Sequence, residues 1–297
     1  MKRMIPILCL AFVSGTAHAE LSIVALHPII ADLARQVGGP FVSVDSLIDL
    51  DRDSHDFDPT PSHLALAAKA RLVLASGKHL EESWIAKVKD NLADGIEVFE
   101  VGRRIPSLLI DTKNDLFLCC PKHAEGSLDP HWWHSVSGMQ RAARILGDLF
   151  GTQDPANKAA YKAQSRAYSE QLDTLTSWAK KEIAQIPRAD RELSTSHLAF
   201  GYFCKEFGFK AVPVLGLNKE QDPSPAHLAE TIEILRKYQV KAVFPEVQAN
   251  PKALTTIAAE AGITVGKPLM ADSLTQAHPT YIDMMRYNIS TIVEALK

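Results

Sequence analysis

Apolar and polar positions along the chain follow two rhythms that take turns. Leu21–Leu26, Val42–Ile48, Arg71–Ala75 and Ile96–Val101 are short runs rich in Val, Ile and Leu, and they read as buried strands. Between them Pro28–Val37, Ser62–Ala70 and Glu81–Leu92 carry apolar residues three or four apart, the spacing of a helix with one buried face. Pro28 opens the first of these helices and Gly38-Gly39 closes it, where each residue's backbone preference is met. Strand–helix alternation at these lengths predicts right-handed crossovers and a mainly parallel sheet.

From Pro106 to Pro130 the rhythm breaks into a long loop, followed by a helix over Val136–Phe150. Asp154–Ile186 then shows no strand signal. Tyr161, Tyr168 and Leu175 recur every seven positions, with Leu172, Ala179 and Ile186 as a second row, which predicts one long amphipathic helix stopped by Pro187. Beyond it the alternation resumes. Strands are expected over Glu192–Ser196, Lys210–Leu215, Lys241–Pro245 and Ile263–Met270, and helices over Ala199–Phe207, Pro225–Tyr238, Pro251–Ala261 and Tyr281–Leu296. The expected fold class is α/β: two similar lobes with mainly parallel sheets, 20–150 and 189–297, joined by one long rigid helix over 151–188.

The first 19 residues stand apart. Lys2 and Arg3 precede the apolar stretch Met4–Val13, and Ala17-His18-Ala19 has the small-x-small form of a cleavage site. This is a secretory signal peptide, too short to span a membrane, and a leader of this length points to the bacterial periplasm. Cleavage near Ala19 predicts a chain with no stable membrane insertion, monomeric, with 30 basic against 35 acidic residues. That balance excludes the basic footprint of a nucleic-acid binder, and an apolar share of 46% excludes general disorder. Three cysteines remain, Cys119, Cys120 and Cys204. In an oxidising compartment Cys204 could bond to one of the adjacent pair, or all three could be buried thiols.

Ten histidines remain after cleavage, and position separates them. Ligand sites in open α/β sheets lie beyond the carboxyl ends of strands. His55, His131 and His197 each follow a strand or open a helix there, and Asp272 follows the last strand. Three imidazoles and one carboxylate, two residues from each lobe, make a tetrahedral set of the kind Zn²⁺ accepts. Glu246, after another strand end, could orient a ligand imidazole or form an inter-lobe ion pair, and His134 could face the cleft, lie on the surface or stand just behind the ligands. Trp132 and Trp133 are expected to shield the site and pack the lobe interface.

Four segments make the reading specific: Asp53-Ser54-His55-Asp56-Phe57-Asp58-Pro59, Asp129-Pro130-His131-Trp132-Trp133, Ser196-His197-Leu198-Ala199-Phe200-Gly201-Tyr202 and Asp272-Ser273-Leu274. In this order they resemble the ligand motifs of the metal-binding solute receptors of ABC importers, the zinc- and manganese-uptake family, and the resemblance runs over nearly all of Leu21–Lys297. It implies a periplasmic receptor, not an enzyme, that captures one Zn²⁺ per chain through His55, His131, His197 and Asp272 and delivers it to a membrane permease and its ATPase. Manganese members of that family resemble this chain but usually carry Glu where His197 stands, so the resemblance favours zinc over a manganese receptor. Two departures stand out. Ser54 replaces the usual Pro of the first motif, and the loop before His131 holds only His123 where many zinc members carry a His-rich insert. The rival classes are a zinc-dependent hydrolase, which would need an open coordination position and lacks HExxH and GxSxG signatures here, and a metal-buffering adhesin.

Overall fold

The computed structural model describes residues 20–55, 57–110, 126–215, 225–247 and 249–297. The signal peptide, His123 and the Cys119-Cys120 pair lie outside the described residues. Cys204 is inside them and buried in the core.

In the first lobe β1 (Leu21–Ala25) pairs in parallel with β2 (Val42–Ser46) and with β3 (Leu72–Ala75), and β3 pairs with β4 (Val98–Glu100), giving the order β2-β1-β3-β4. The helices α1 (Pro28–Gly38), α2 (Pro61–Ala67) and α3 (Ile85–Lys89) lie between these strands in the chain. Two further helices follow, α4 (Val136–Gln153) and α5 (Lys158–Ile183).

The second lobe repeats the topology strand for strand. β5 (Glu192–Thr195) lies between β6 (Lys210–Ala211) and β7 (Ala242–Phe244), with β8 (Thr264–Val265) outside β7 and every pairing parallel. Its helices are α6 (Gly201–Phe207), α7 (Pro225–Lys237), α8 (Lys252–Ala261) and α9 (Tyr281–Leu296). In both sheets the order reverses beside the first strand, and crevices open beyond the strand ends at such a point.

α5 is the long helix expected from the seven-residue rows. Tyr161, Ser165, Tyr168, Leu172, Leu175, Ala179 and Ile183 form its buried stripe, three or four residues apart. It is no free-standing strut. One continuous core joins Leu21 and Leu74 of the first sheet, Leu172 and Leu175 of α5, Leu193 and Phe244 of the second sheet, and Met284 and Ile289 of α9. α4 lies close on α5 because Gly147 has no side chain: a Cβ there would stand 2.9 Å from that of Ser165. Separate apolar clusters, around Val24, Val73 and Trp84 and around Val212, Val243 and Ile257, fill the other face of each sheet.

The structure departs from the sequence pattern at several elements: the long helix expected over 154–186 runs from Lys158 to Ile183, and the strand expected over Lys210–Leu215 is regular only at Lys210–Ala211. The helix expected over Glu81–Leu92 is reduced to Ile85–Lys89, because the Glu81 carboxylate turns back to accept from the backbone N–H groups of Ser76 (2.6 Å) and Gly77 (3.0 Å). That turn runs through positive φ at Gly77, Lys78 and His79. The expected loop over Pro106–Pro130 has an antiparallel stem, with Leu109 bridged to Leu128 and the Ile110 N–H donating to Ser127 O at 2.9 Å. The last strand, expected over Ile263–Met270, is regular only at Thr264–Val265, with one further bridge from Leu269 to Glu246. Among the described residues no helix is long and apolar enough to cross a membrane.

Candidate metal centre

Three of the four residues singled out by position sit where a strand stops, and the fourth, His131, opens a helical turn. His55 lies on the loop after β2, where its own N–H donates to Asp53 Oδ1 at 2.9 Å. His131 precedes the 3-10 turn Trp132–His134, His197 follows β5, and Asp272 follows β8 and the Leu269 bridge. The two lobes bring them together so that one ligand atom from each lies within 4.8 Å of all the others.

The distances suit a small cation. His131 Nε2 is 3.3 Å from both His55 Nε2 and His197 Nε2, and 3.2 Å from Asp272 Oδ1. Asp272 also stands 3.7 Å from each of the outer imidazoles, by Oδ1 to His55 and Oδ2 to His197. A tetrahedral ion with nitrogen ligands at about 2.0–2.1 Å needs edges of about 3.3–3.4 Å between them. His131, His197 and Asp272 are almost wholly buried, whereas the His55 side chain is 33% exposed, so the site faces water on the His55 side.

Two of the imidazoles are aimed by carboxylates behind them. Asp129 Oδ1 lies 2.9 Å from His131 Nδ1 and also accepts from the His131 N–H at 2.8 Å. Glu246 does the same for His197, at 2.7 Å from Nδ1 and 3.0 Å from the backbone nitrogen. With Nδ1 occupied, Nε2 of each ring is left facing the centre, the arrangement by which outer partners fix a metal-binding tautomer. Burial alone would pull the His131 imidazole down. Its hydrogen bonds to Asp129 and Asp272 outweigh that and push it up to about 9, so in the metal-free site a proton sits among these groups.

A third layer holds the Asp272 backbone. His27 Nε2 lies 2.9 Å from the Asp272 carbonyl, while Trp133 Nε1 and His134 Nε2 each lie 2.9 Å from the Ala271 carbonyl. Burial lowers His27 to about 4 and His134 to about 3, so both rings are neutral and donate through Nε2. Of the places open to it, His134 takes the one behind the ligands: it is fully buried, off the surface, with its ring against Phe200. Trp132 and Trp133 are buried as expected, and Trp132 Nε1 donates to Ser76 Oγ at 3.0 Å.

Sequence reasoning gave Asp129 no role, and of His27 it gave only that the residue could hydrogen-bond near the site. A signal existed for each: an acid two residues before a candidate ligand, and a histidine directly after the first strand. Among the described residues no other group of three or more His, Cys, Asp or Glu side chains converges in this way.

A cluster of three imidazoles and a carboxylate, buried, pre-aimed and open to water on one side, is fitted to capture a divalent metal ion. Known proteins bear on it as follows. The family described as ZnuA, zinc-uptake complex component A periplasmic, matches residues 23–295. The manganese-binding lipoprotein MntA of Bacillus subtilis (strain 168) is 32% identical over 290 residues, covering 95% of this chain and 92% of its own. MntA of Halalkalibacterium halodurans is 27% identical over 293 residues, covering 97% and 93%. Among solved structures, the periplasmic zinc binding protein TroA from Treponema pallidum matches with a TM-score of 0.81 at 24% identity, covering 94% of this chain and 99% of that one. A Mn-bound periplasmic metal binding protein from Candidatus Liberibacter asiaticus reaches 0.82 at 24% identity, covering 94% and 100%. At these identities the two structures speak for the fold.

Proposed function

We propose, for a chain that belongs to the periplasmic zinc-uptake component A family and is therefore the substrate-binding receptor of a metal ABC importer, that its cargo is zinc. The importer's permease and ATPase are its partners, and the receptor is not an enzyme. One ion per chain is held by His55, His131, His197 and Asp272. The observation that carries this reading is the donor set: three nitrogens to one carboxylate, with His131 Nε2 at 3.3 Å from each of the other two Nε2 atoms. Imidazole-rich, four-coordinate sites suit zinc, whereas Mn²⁺ is better served by more oxygen and a higher coordination number.

Manganese is the second reading, favoured by the names of the MntA relatives. The test is metal analysis of protein exported in its native host, followed by competition between Zn²⁺ and Mn²⁺ at one pH. Zinc in the isolated protein and in the competition supports the proposal; manganese in both overturns it. Alanine at each of the four ligands should weaken binding sharply, and a variant that keeps full affinity removes its residue from the site.

The mature receptor is a monomer free in the periplasm, cut near Ala19. The MntA relatives are named lipoproteins, so the N-terminus decides between the two. A mass that begins at Glu20 is expected, and a lipid-modified Cys9 would overturn this assignment.

A further inference from the structure

We propose that Asp272 is mechanically part of the first lobe, pinned there by His27, Trp133 and His134, so that metal exchange parts His197 from the other three ligands. This rests on the ligand set proposed above and assigns His27 and His134 as positioning residues for Asp272.

The chain up to Leu269 belongs to the second sheet: the Leu269 N–H donates to Pro245 O at 2.8 Å, and the Val247 N–H donates to Leu269 O at 3.0 Å. Met270 is still held from α9 of the second lobe, its N–H donating to Asn288 Oδ1 at 2.9 Å and its carbonyl accepting from Asn288 Nδ2 at 2.8 Å, and the partners change at Ala271. The Ala271 carbonyl accepts from Trp133 and His134, and the Asp272 carbonyl from His27, all at 2.9 Å. The Leu274 carbonyl accepts from the Asp51 N–H at 2.9 Å, and the Gln276 N–H donates to Asp51 Oδ2 at 3.1 Å. The Tyr281 N–H, at the start of α9, donates to Asp32 Oδ2 on α1 at 2.8 Å. These partners of the chain from Ala271 onward, His27, Trp133, His134, Asp51 and Asp32, lie on the first lobe.

His27 is built for this task by its backbone position. It is the N-cap of α1, where its Nδ1 accepts from the Ile29 N–H at 3.3 Å. An accepting Nδ1 requires the proton on Nε2, and Nε2 is the atom that meets the Asp272 carbonyl. One ring therefore starts a helix in the first lobe and holds the backbone of the carboxylate ligand. His197 is anchored in the opposite direction, by Glu246 at the end of β7. His55, His131 and Asp272 thus form one body, and His197 with Glu246 forms the other.

The experiment separates positioning from capping and packing. Asparagine is a strong N-cap but is too short to reach the Asp272 carbonyl, so His27→Asn keeps the helix start and removes the tether. Glutamine can return a donor near the place of Nε2, so His134→Gln should rescue what His134→Leu loses. Affinity is read by competition titration with the ion that the wild-type protein takes, alongside Tm of the metal-free form and the visible spectrum of the Co²⁺-loaded form. We expect His27→Asn and His134→Leu to bind about 10- to 100-fold more weakly, the loss typical of partners that orient a metal ligand. Their Co²⁺ spectra should lose tetrahedral intensity, with Tm nearly unmoved and His134→Gln close to wild type.

Wild-type affinity and spectrum in His27→Asn, with Asp272→Ala impaired, overturns the positioning role alone. Wild-type affinity in Asp272→Ala overturns the ligand set and this inference together. Hydrogen exchange tests the mechanical division. On metal removal, peptides over 196–199 and 245–247 should lose protection while those over 270–276 keep it, and equal loss in both overturns the division.

Discussion

Glu246 holds His197 by two atoms at once, one carboxylate oxygen on the backbone N–H at 3.0 Å and the other on Nδ1 at 2.7 Å. The two residues are 49 positions apart, at the ends of neighbouring strands β5 and β7, and both are buried. The pair fixes the position and the tautomer of the ring together, which leaves Nε2 for a cation.

Glu246→Gln should therefore weaken metal binding by about 10- to 100-fold, since an amide cannot accept from both nitrogens. Competition against a zinc-sensitive dye measures this. Unchanged affinity would show that the ring needs no partner behind it.

His197 is expected to set the choice of metal. Replacing it by Glu gives a set richer in oxygen, but the new carboxylate would face Glu246 where Nδ1 now lies. The informative variant is thus His197→Glu with Glu246→Gln, which should narrow the preference for Zn²⁺ over Mn²⁺, mostly by weakening zinc. Competitive titration of both ions reads the ratio, and an unmoved ratio removes His197 as its determinant.

Away from the metal, Glu81 should make stability depend on pH. Burial pushes its carboxyl up to about 7 from an ordinary 4.5, with the Gly77 and Ser76 N–H groups opposing the shift. A raised acid binds its proton more tightly when folded. Its stabilising contribution is full below about 4.5 and is lost as pH rises through about 7, about 3 kcal/mol in all. Metal-free Glu81→Gln should lose that much less stability than wild type between pH 4.5 and 8, as measured by urea unfolding. Parallel curves for the two proteins would contradict the shift.

Metal removal should change the overall shape very little. α5 is continuous from Lys158 to Ile183, and the core that runs through it joins both sheets, so a wide hinge would have to break packed apolar contacts. Small-angle scattering should give the same radius of gyration for metal-free and loaded protein. A clear expansion on metal removal would contradict a shared rigid core.

The sequence by itself determined the order of strands and helices, the two parallel sheets, the presence of one long helix between the lobes and the four loop residues His55, His131, His197 and Asp272 that the structure brings together. These are local properties. Apolar spacing reports which face of a segment is buried, and in an open parallel sheet the loops after the strands all emerge at one edge. The same local reading extended a helix over Glu81–Leu92, because spacing does not register a carboxylate that folds back onto Ser76 and Gly77. Only the tertiary structure decided what stands behind each ligand. Glu246 could have been an inter-lobe ion pair, and His134 could have been on the surface, until the lobes were placed. The tether from His27 to Asp272 spans 245 positions. Such contacts leave no periodic mark in the chain, because they are made by the docking of one lobe on the other through a common core.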